Sequence, residues 1–227
     1  MKPNNYSFGV PYLVLSTLFC VCLIAANLLE TKQVQIGPLQ LTAGLIVFPV
    51  SYIINDCLVE VWGYRTARLT IWLGFLMNFL FVAFGALADA LPAAPYWDGE
   101  RGFHAIFGLA PRIAAASFVA FLAGSFLNAY VMSRMKVLSA GRHFSLRAIV
   151  STVAGEGVDS LLFFPLALGG VVPWSVLPVL MLTQVLLKTA YEVVALPLTL
   201  LVVRWLKGYT HMDAYDRRGS YSLAWWK

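Results

Sequence analysis

Six stretches of about twenty apolar residues, joined by short polar connections, constrain this chain more than any other feature. They cover about 11–29, 42–61, 69–89, 112–132, 148–170 and 176–203 of its 227 residues. A helix needs about 20 such residues to cross the hydrocarbon layer, where its backbone must satisfy its own hydrogen bonds. The pattern predicts an all-α integral membrane protein, a bundle of six transmembrane helices. Charged residues make up 12% of the chain, against about 25% in average soluble domains. That shortage excludes a soluble enzyme, a disordered chain and a secreted disulfide scaffold.

The first stretch follows a single Lys2 and lacks a small-residue cleavage site, so it reads as a retained helix. Cys20, Cys22 and Cys57 sit inside apolar stretches and read as small buried hydrophobes. No Cys or His spacing suggests a metal, and no cofactor is expected.

Sixteen Lys and Arg residues set the orientation. Alternating loops put twelve of them on one side: Lys2, Arg65, Arg68, Arg134, Lys136, Arg142, Arg147, Arg204, Lys207, Arg217, Arg218 and Lys227. The other side takes three, Lys32, Arg101 and Arg112, and Lys188 is left inside the sixth span. Positive charge stays in the cytoplasm, so both termini are expected there, and the net charge of +5 records topology rather than nucleic-acid binding. Residues 1–207 form one transmembrane domain, and 208–227 a short, partly disordered cytoplasmic tail. In the long 90–111 connection, the Gly102–Phe107 piece is expected along the outer interface, with His104 an exposed polar residue.

Polar groups inside the spans carry the functional signal. A charge at mid-membrane costs on the order of 2.5–3.5 kcal/mol on insertion scales. Asn55, Asp56 and Glu60 lie in the second span, Glu156 and Asp159 in the fifth, and Gln184, Lys188 and Glu192 at four-residue intervals in the sixth. Asn27, Asn78 and Asn128 add neutral polar groups in the first, third and fourth. Three helices thus bring charge to similar depths, as a shared polar cavity requires. Five carboxylates face one ammonium, so protons, a cation or a donor-rich ligand must neutralise the surplus. The bland alternative pairs Lys188 with Glu192 one turn away and leaves the other acids to interhelical hydrogen bonds.

Gly155 and Gly157 around Glu156, and Pro49, Pro165 and Pro197, point to interrupted helices of the kind found beside transporter sites. Ala116, Ala120, Gly124 and Asn128 form a small-residue packing face that would permit a homodimer. Tyr52 and Tyr191 neighbour charged positions and are the candidates for stacking on a planar ligand.

Several motifs resemble the queuosine precursor transporter family, earlier labelled vitamin uptake transporter. They are Asn27, the Gly44-Leu45-Ile46-Val47-Phe48-Pro49 run, and the stretch from Tyr52 to Arg68 containing Asn55-Asp56, Glu60 and Gly63-Tyr64. The resemblance continues through Arg112-Ile113-Ala114, Ser117, Ser151-Thr152, Gly155-Glu156, Asp159-Ser160, Lys188 and Pro197. It implies a bacterial inner-membrane protein that imports 7-cyano-7-deazaguanine or 7-aminomethyl-7-deazaguanine for tRNA queuosine synthesis. On that reading the substrate-binding candidates are Asn27, Tyr52, Asn55, Asp56, Glu60, Glu156, Asp159, Gln184, Lys188 and Glu192. Asp56 and Asp159 would accept from the guanine-like edge, Lys188 would donate to the carbonyl or hold Glu192, and Glu60 or Glu156 would carry a coupling proton.

Two other classes remain. A membrane-embedded binding subunit would rely on a separate ATPase, since the chain has no Walker motif. An intramembrane enzyme has no histidine in a span to use, but Asp56 and Asp159 would suit a two-aspartate protease.

Overall fold

The computed structural model describes residues 9–30, 32–36, 39–107, 110–170, 174–175 and 177–215. Lys2, Pro173 and the end of the tail, with Arg217, Arg218 and Lys227, lie outside the described residues. Among the described residues there are seven α-helices: α1 Val10–Glu30, α2 Phe48–Trp62, α3 Tyr64–Asp89, α4 Glu100–Phe107, α5 Ala110–Leu138, α6 Phe144–Leu168 and α7 Leu177–Thr210. All but α4 belong to segments long and apolar enough to cross a membrane, which makes six spans. One connection read as a plain loop is an antiparallel hairpin instead: β1 Gln33–Ile36 pairs with β2 Leu39–Thr42, Ile36 opposite Leu39.

Helix α2 is the most buried of the six spans. Asn55, Asp56 and Glu60 on α2 are each about 1% exposed, because lipid contact would cost each of them several kcal/mol. Helices α3 and α7 instead turn Leu76, Phe79, Phe84, Leu186, Val194 and Leu198 outward, where hydrocarbon accepts them. Between α1 and α3 the contact is partly polar: Thr70 Oγ1 lies 3.0 Å from the Tyr12 hydroxyl and 3.2 Å from Ser16 Oγ.

Two glycine sites shape the bundle. Gly63 alone separates α2 from α3, at φ 86° and ψ 169°, a region essentially closed to residues with a Cβ and costing about 1–3 kcal/mol. Gly63→Ala is therefore expected to destabilise the protein by about that amount, read as a lower melting temperature in detergent. Gly124 on α5 and Gly155 on α6 meet backbone to backbone, since a Cβ on either would stand 2.8 Å from the other's carbonyl oxygen. Ala116, Ala120 and Asn128 of the same α5 stripe are also buried within the chain.

The helices are less interrupted than their sequence suggests. Helix α2 begins after a 3₁₀ turn over Ala43–Ile46. Helix α6 runs unbroken through Gly155 and Gly157 and includes Pro165, and α7 includes Pro197. Gly155 serves the close approach to α5 rather than a break. At the hairpin end, Arg112 closes α6 by donating to the carbonyls of Leu166 (3.0 Å) and Gly169 (2.7 Å). The short α4 packs Phe107 on Gly85, and exposed His104 lies 2.9 Å from Asp89 Oδ2.

Candidate functional site

The polar groups of the core separate into three layers along the bundle. The layer nearest the hairpin end is a cavity of about 20 Å³ lined by Asn27, Ser117, Asp159, Ser160, Phe163, Phe164, Gln184 and Lys188. That volume has room for about one water molecule. Lys188, 5% exposed, is the cation of this layer. Its Nζ lies 2.8 Å from Glu156 Oε2 in an ion pair without hydrogen-bond alignment, and it donates to Asp159 Oδ2 at 3.5 Å. Gln184 Oε1 and Ser160 Oγ are buried without partners. Phe163 and Phe164 meet edge to face at 5.4 Å and supply the aromatic wall.

One turn further along α7, the second layer sets Glu192 against Asp56 of α2. Asn55 Nδ2 donates to Asn128 Oδ1 at 2.7 Å, and Asn128 Nδ2 to Thr152 Oγ1 at 3.4 Å, joining α2, α5 and α6.

The third layer lies at the opposite, basic end. Glu60 Oε2 accepts from Arg147 Nη1 at 2.5 Å, and Oε1 from Lys207 at 2.6 Å. Lys136 donates to the Glu60 backbone carbonyl and to Asp213 Oδ1 at 2.6 Å, and Lys207 also pairs with Asp213 at 3.0 Å. Arg147 further donates to the Arg142 carbonyl at 3.1 Å. Three cations thus meet two carboxylates, joining α2, α5, α6, α7 and the segment after α7.

This layer departs from the sequence expectation at three basic residues. Lys136, Arg147 and Lys207 were counted as loop charges, yet Lys136 and Arg147 are 2% and 1% exposed, because α5, α6 and α7 extend past the expected span ends. Beside them, the segment after α7 returns to α2, with Ala214 N donating to the Val61 carbonyl at 3.1 Å.

Asp213 lies beyond the last helix. Partial burial pushes its carboxyl up, but the ammonium groups of Lys136 and Lys207 outweigh that and hold it below its ordinary value of 3.8. A depressed carboxyl contributes stability that is fully present above its unfolded value and lost as pH falls through the native one. Asp213→Asn is therefore expected to lower the melting temperature at neutral pH, with the gap to wild type closing in acid below the ordinary carboxylate range.

Of the ten expected site residues, Asn27, Asp159, Gln184 and Lys188 line the cavity, and Glu156 stands behind it on Lys188. Tyr52 is buried edge-on to Phe121 and packed between Gly124 and Gly155, not on the cavity wall. Asn55, Asp56 and Glu192 form the second layer, and Glu60 the third. Lys188 pairs with α6 rather than with Glu192, and Tyr191 is 40% exposed on the outer surface. Asp56 and Asp159 face different partners, so they do not make a two-aspartate dyad. Ser117, Ser160, Phe163 and Phe164 were not among the ten, although Ser160, Phe163 and Phe164 lie within about one and a half helical turns of Asp159.

The family profile described as "Putative vitamin uptake transporter" matches residues 42–202. The chain is 29% identical over 177 residues to the "Probable queuosine precursor transporter" of Bacillus subtilis (strain 168), covering 77% of this chain and 76% of that protein. It is 28% identical over 156 residues to the "Queuosine precursor transporter" of Escherichia coli (strain K12), covering 67% and 66%. No solved structure matches the chain.

Proposed function

The chain belongs to the vitamin uptake transporter family, and on that basis we propose that it imports queuosine precursors by alternating access. The cargo is 7-cyano-7-deazaguanine or 7-aminomethyl-7-deazaguanine, the membrane is the bacterial inner membrane, and the basic end faces the cytoplasm. The names of the two relatives support the cargo, and twelve of sixteen Lys and Arg on one side support the orientation.

The single observation that carries the reading is the first layer, a buried cavity that combines a carboxylate, an ammonium, unpaired amide and hydroxyl groups and two phenyl rings. A deazaguanine has the complementary face. Its ring N–H and exocyclic amine donate side by side, a pattern that one carboxylate accepts in bidentate fashion. Asp159 takes that role, Lys188 or the Gln184 amide donates to the carbonyl, and Phe163 and Phe164 cover the planar ring. A cationic aminomethyl group would also offset part of the surplus negative charge.

A bicyclic ring needs far more than 20 Å³, so the cavity must widen to admit it. Alternating access supplies that motion, with the Glu60 cluster holding the basic end shut while the cavity loads from the other side. The surplus of buried carboxylates favours cation coupling, with protons as the first candidate.

Thermal melting of the purified protein with a panel of deazapurines and purines tests the cargo. Stabilisation by a deazaguanine, absent with adenine and lost in Asp159→Asn, is the expected result. Uptake into liposomes containing this chain alone tests whether it transports without an ATPase.

A further inference from the structure

The first and third layers each bring cations to their carboxylates, but the second does not. Asp56 and Glu192 are 1% and 2% exposed, they face each other across the α2–α7 contact, and all four of their oxygens lack a hydrogen-bond partner. Asn128 approaches Asp56, Thr152 approaches Glu192, and the two carboxyls approach each other, yet none of these contacts has full hydrogen-bond geometry. Asn55, anchored on Asn128 through its nitrogen, leaves Oδ1 buried and also without a donor. Five oxygens in one packed layer therefore wait for something positive. The neighbouring cations are committed elsewhere: Lys188 to Glu156 and Asp159, and Lys136, Arg147 and Lys207 to Glu60. Among the described residues, none makes an ion pair with Asp56 or Glu192.

We infer that Asp56 and Glu192, with the Asn55 amide oxygen, form a seat for a monovalent cation, a proton or Na⁺, separate from the substrate cavity. Carboxylate and amide oxygens are hard ligands suited to Na⁺, and buried carboxyls likewise serve as proton carriers in membranes. A hydrated divalent ion fits poorly, because Mg²⁺ gives up its waters reluctantly and none of these side chains lines the cavity. The other ionisable groups facing the pair are Tyr52, Cys57 and Glu60 on α2 and Glu156 on α6, while α5 brings the neutral Asn128. The assignment moves the coupling role away from Glu60, which three cations saturate. Glu192 is also one turn from Lys188 on α7, so filling the seat and filling the cavity act on the same helix. The coupling role rests on the transport reading, whereas the seat itself does not.

The test is thermal melting of the full chain without substrate, in two arms. One arm replaces K⁺ by Na⁺ at constant ionic strength, and the other varies pH from 5 to 9 in Na⁺-free buffer. A seat filled to a hundred times its Kd raises the melting temperature by roughly 5–10 °C. One arm is expected to move the wild type, and that response to be lost in Asp56→Asn and Glu192→Gln but kept in Gln184→Ala. A wild type that moves in neither arm, or a response that survives in both carboxylate variants, overturns the seat. Should a variant fail to fold, the wild type supplies a second readout. An apolar carbodiimide is expected to label Asp56 or Glu192 in Na⁺-free buffer, with labelling suppressed by Na⁺ or following pH. Absence of labelling at both overturns the proposal. Deazaguanines are added to the same samples. A cation response without a deazaguanine response rejects the cargo and keeps the seat, and the reverse rejects the seat and keeps the cargo.

Discussion

Lys188→Met is expected to abolish stabilisation by any deazaguanine and to destabilise the fold by about 3–5 kcal/mol, the cost of breaking a buried ion pair from one side. Lys188 is the only cation within ion-pair range of Glu156 and Asp159 among the described residues, and both carboxylates are buried. Methionine keeps the length and apolar stem of lysine, so lost charge rather than lost volume accounts for the effect. The control is the triple variant Lys188→Met, Glu156→Gln, Asp159→Asn. It carries no unpaired charge in this layer and is expected to recover most of the stability while still failing to bind ligand. Melting temperature reports the first effect and ligand-dependent melting the second. A stable Lys188→Met that still responds to a deazaguanine would remove the ammonium from both roles.

Glu60→Gln is expected to produce the second large loss, again about 3–5 kcal/mol, which is a fall of roughly 6–20 °C in melting temperature for a chain of this size. The reason is the mirror image of the first. Arg147, Lys136 and Lys207 converge on one carboxylate, and without it the buried guanidinium of Arg147 has no anionic partner. A double-mutant cycle with Arg147→Gln should be strongly non-additive, because each single change strands the other's charge. Transport adds a separate signature. If this cluster shuts the basic end, Glu60→Gln lowers net accumulation more than it lowers ligand-dependent stabilisation, since the cavity lies on the far side of the second layer.

Both predictions concern residues that local chemistry marks out but cannot assign. Asp56 and Glu60 stand four residues apart on one face of α2, about 6 Å along the axis, and pattern alone put them in one cavity. Packing sends Asp56 to Glu192 on α7, and Glu60 to cations on α5, α6 and α7. Lys188 and Glu192 have the same spacing on α7, yet the ammonium reaches across to α6. Side-chain length and interhelical distance choose the partner, and neither is written in the spacing. The three cations around Glu60 were hidden for a related reason. Near a span end a lysine that marks topology and a lysine that closes a bundle have the same local sequence, and only the neighbouring helices distinguish them.

Six spans, a small-residue packing face on the fourth and a charged interior were all decided by the sequence itself. These follow from the free energy of each residue in hydrocarbon, a quantity local to the residue and its helical face. The division of that interior into a small polar cavity, a carboxyl pair without a cation and a multi-residue ion-pair cluster was decided only in three dimensions. Each layer joins side chains from helices far apart in the chain, and the electrostatic energy that separates them depends on contacts that exist only once the helices have packed.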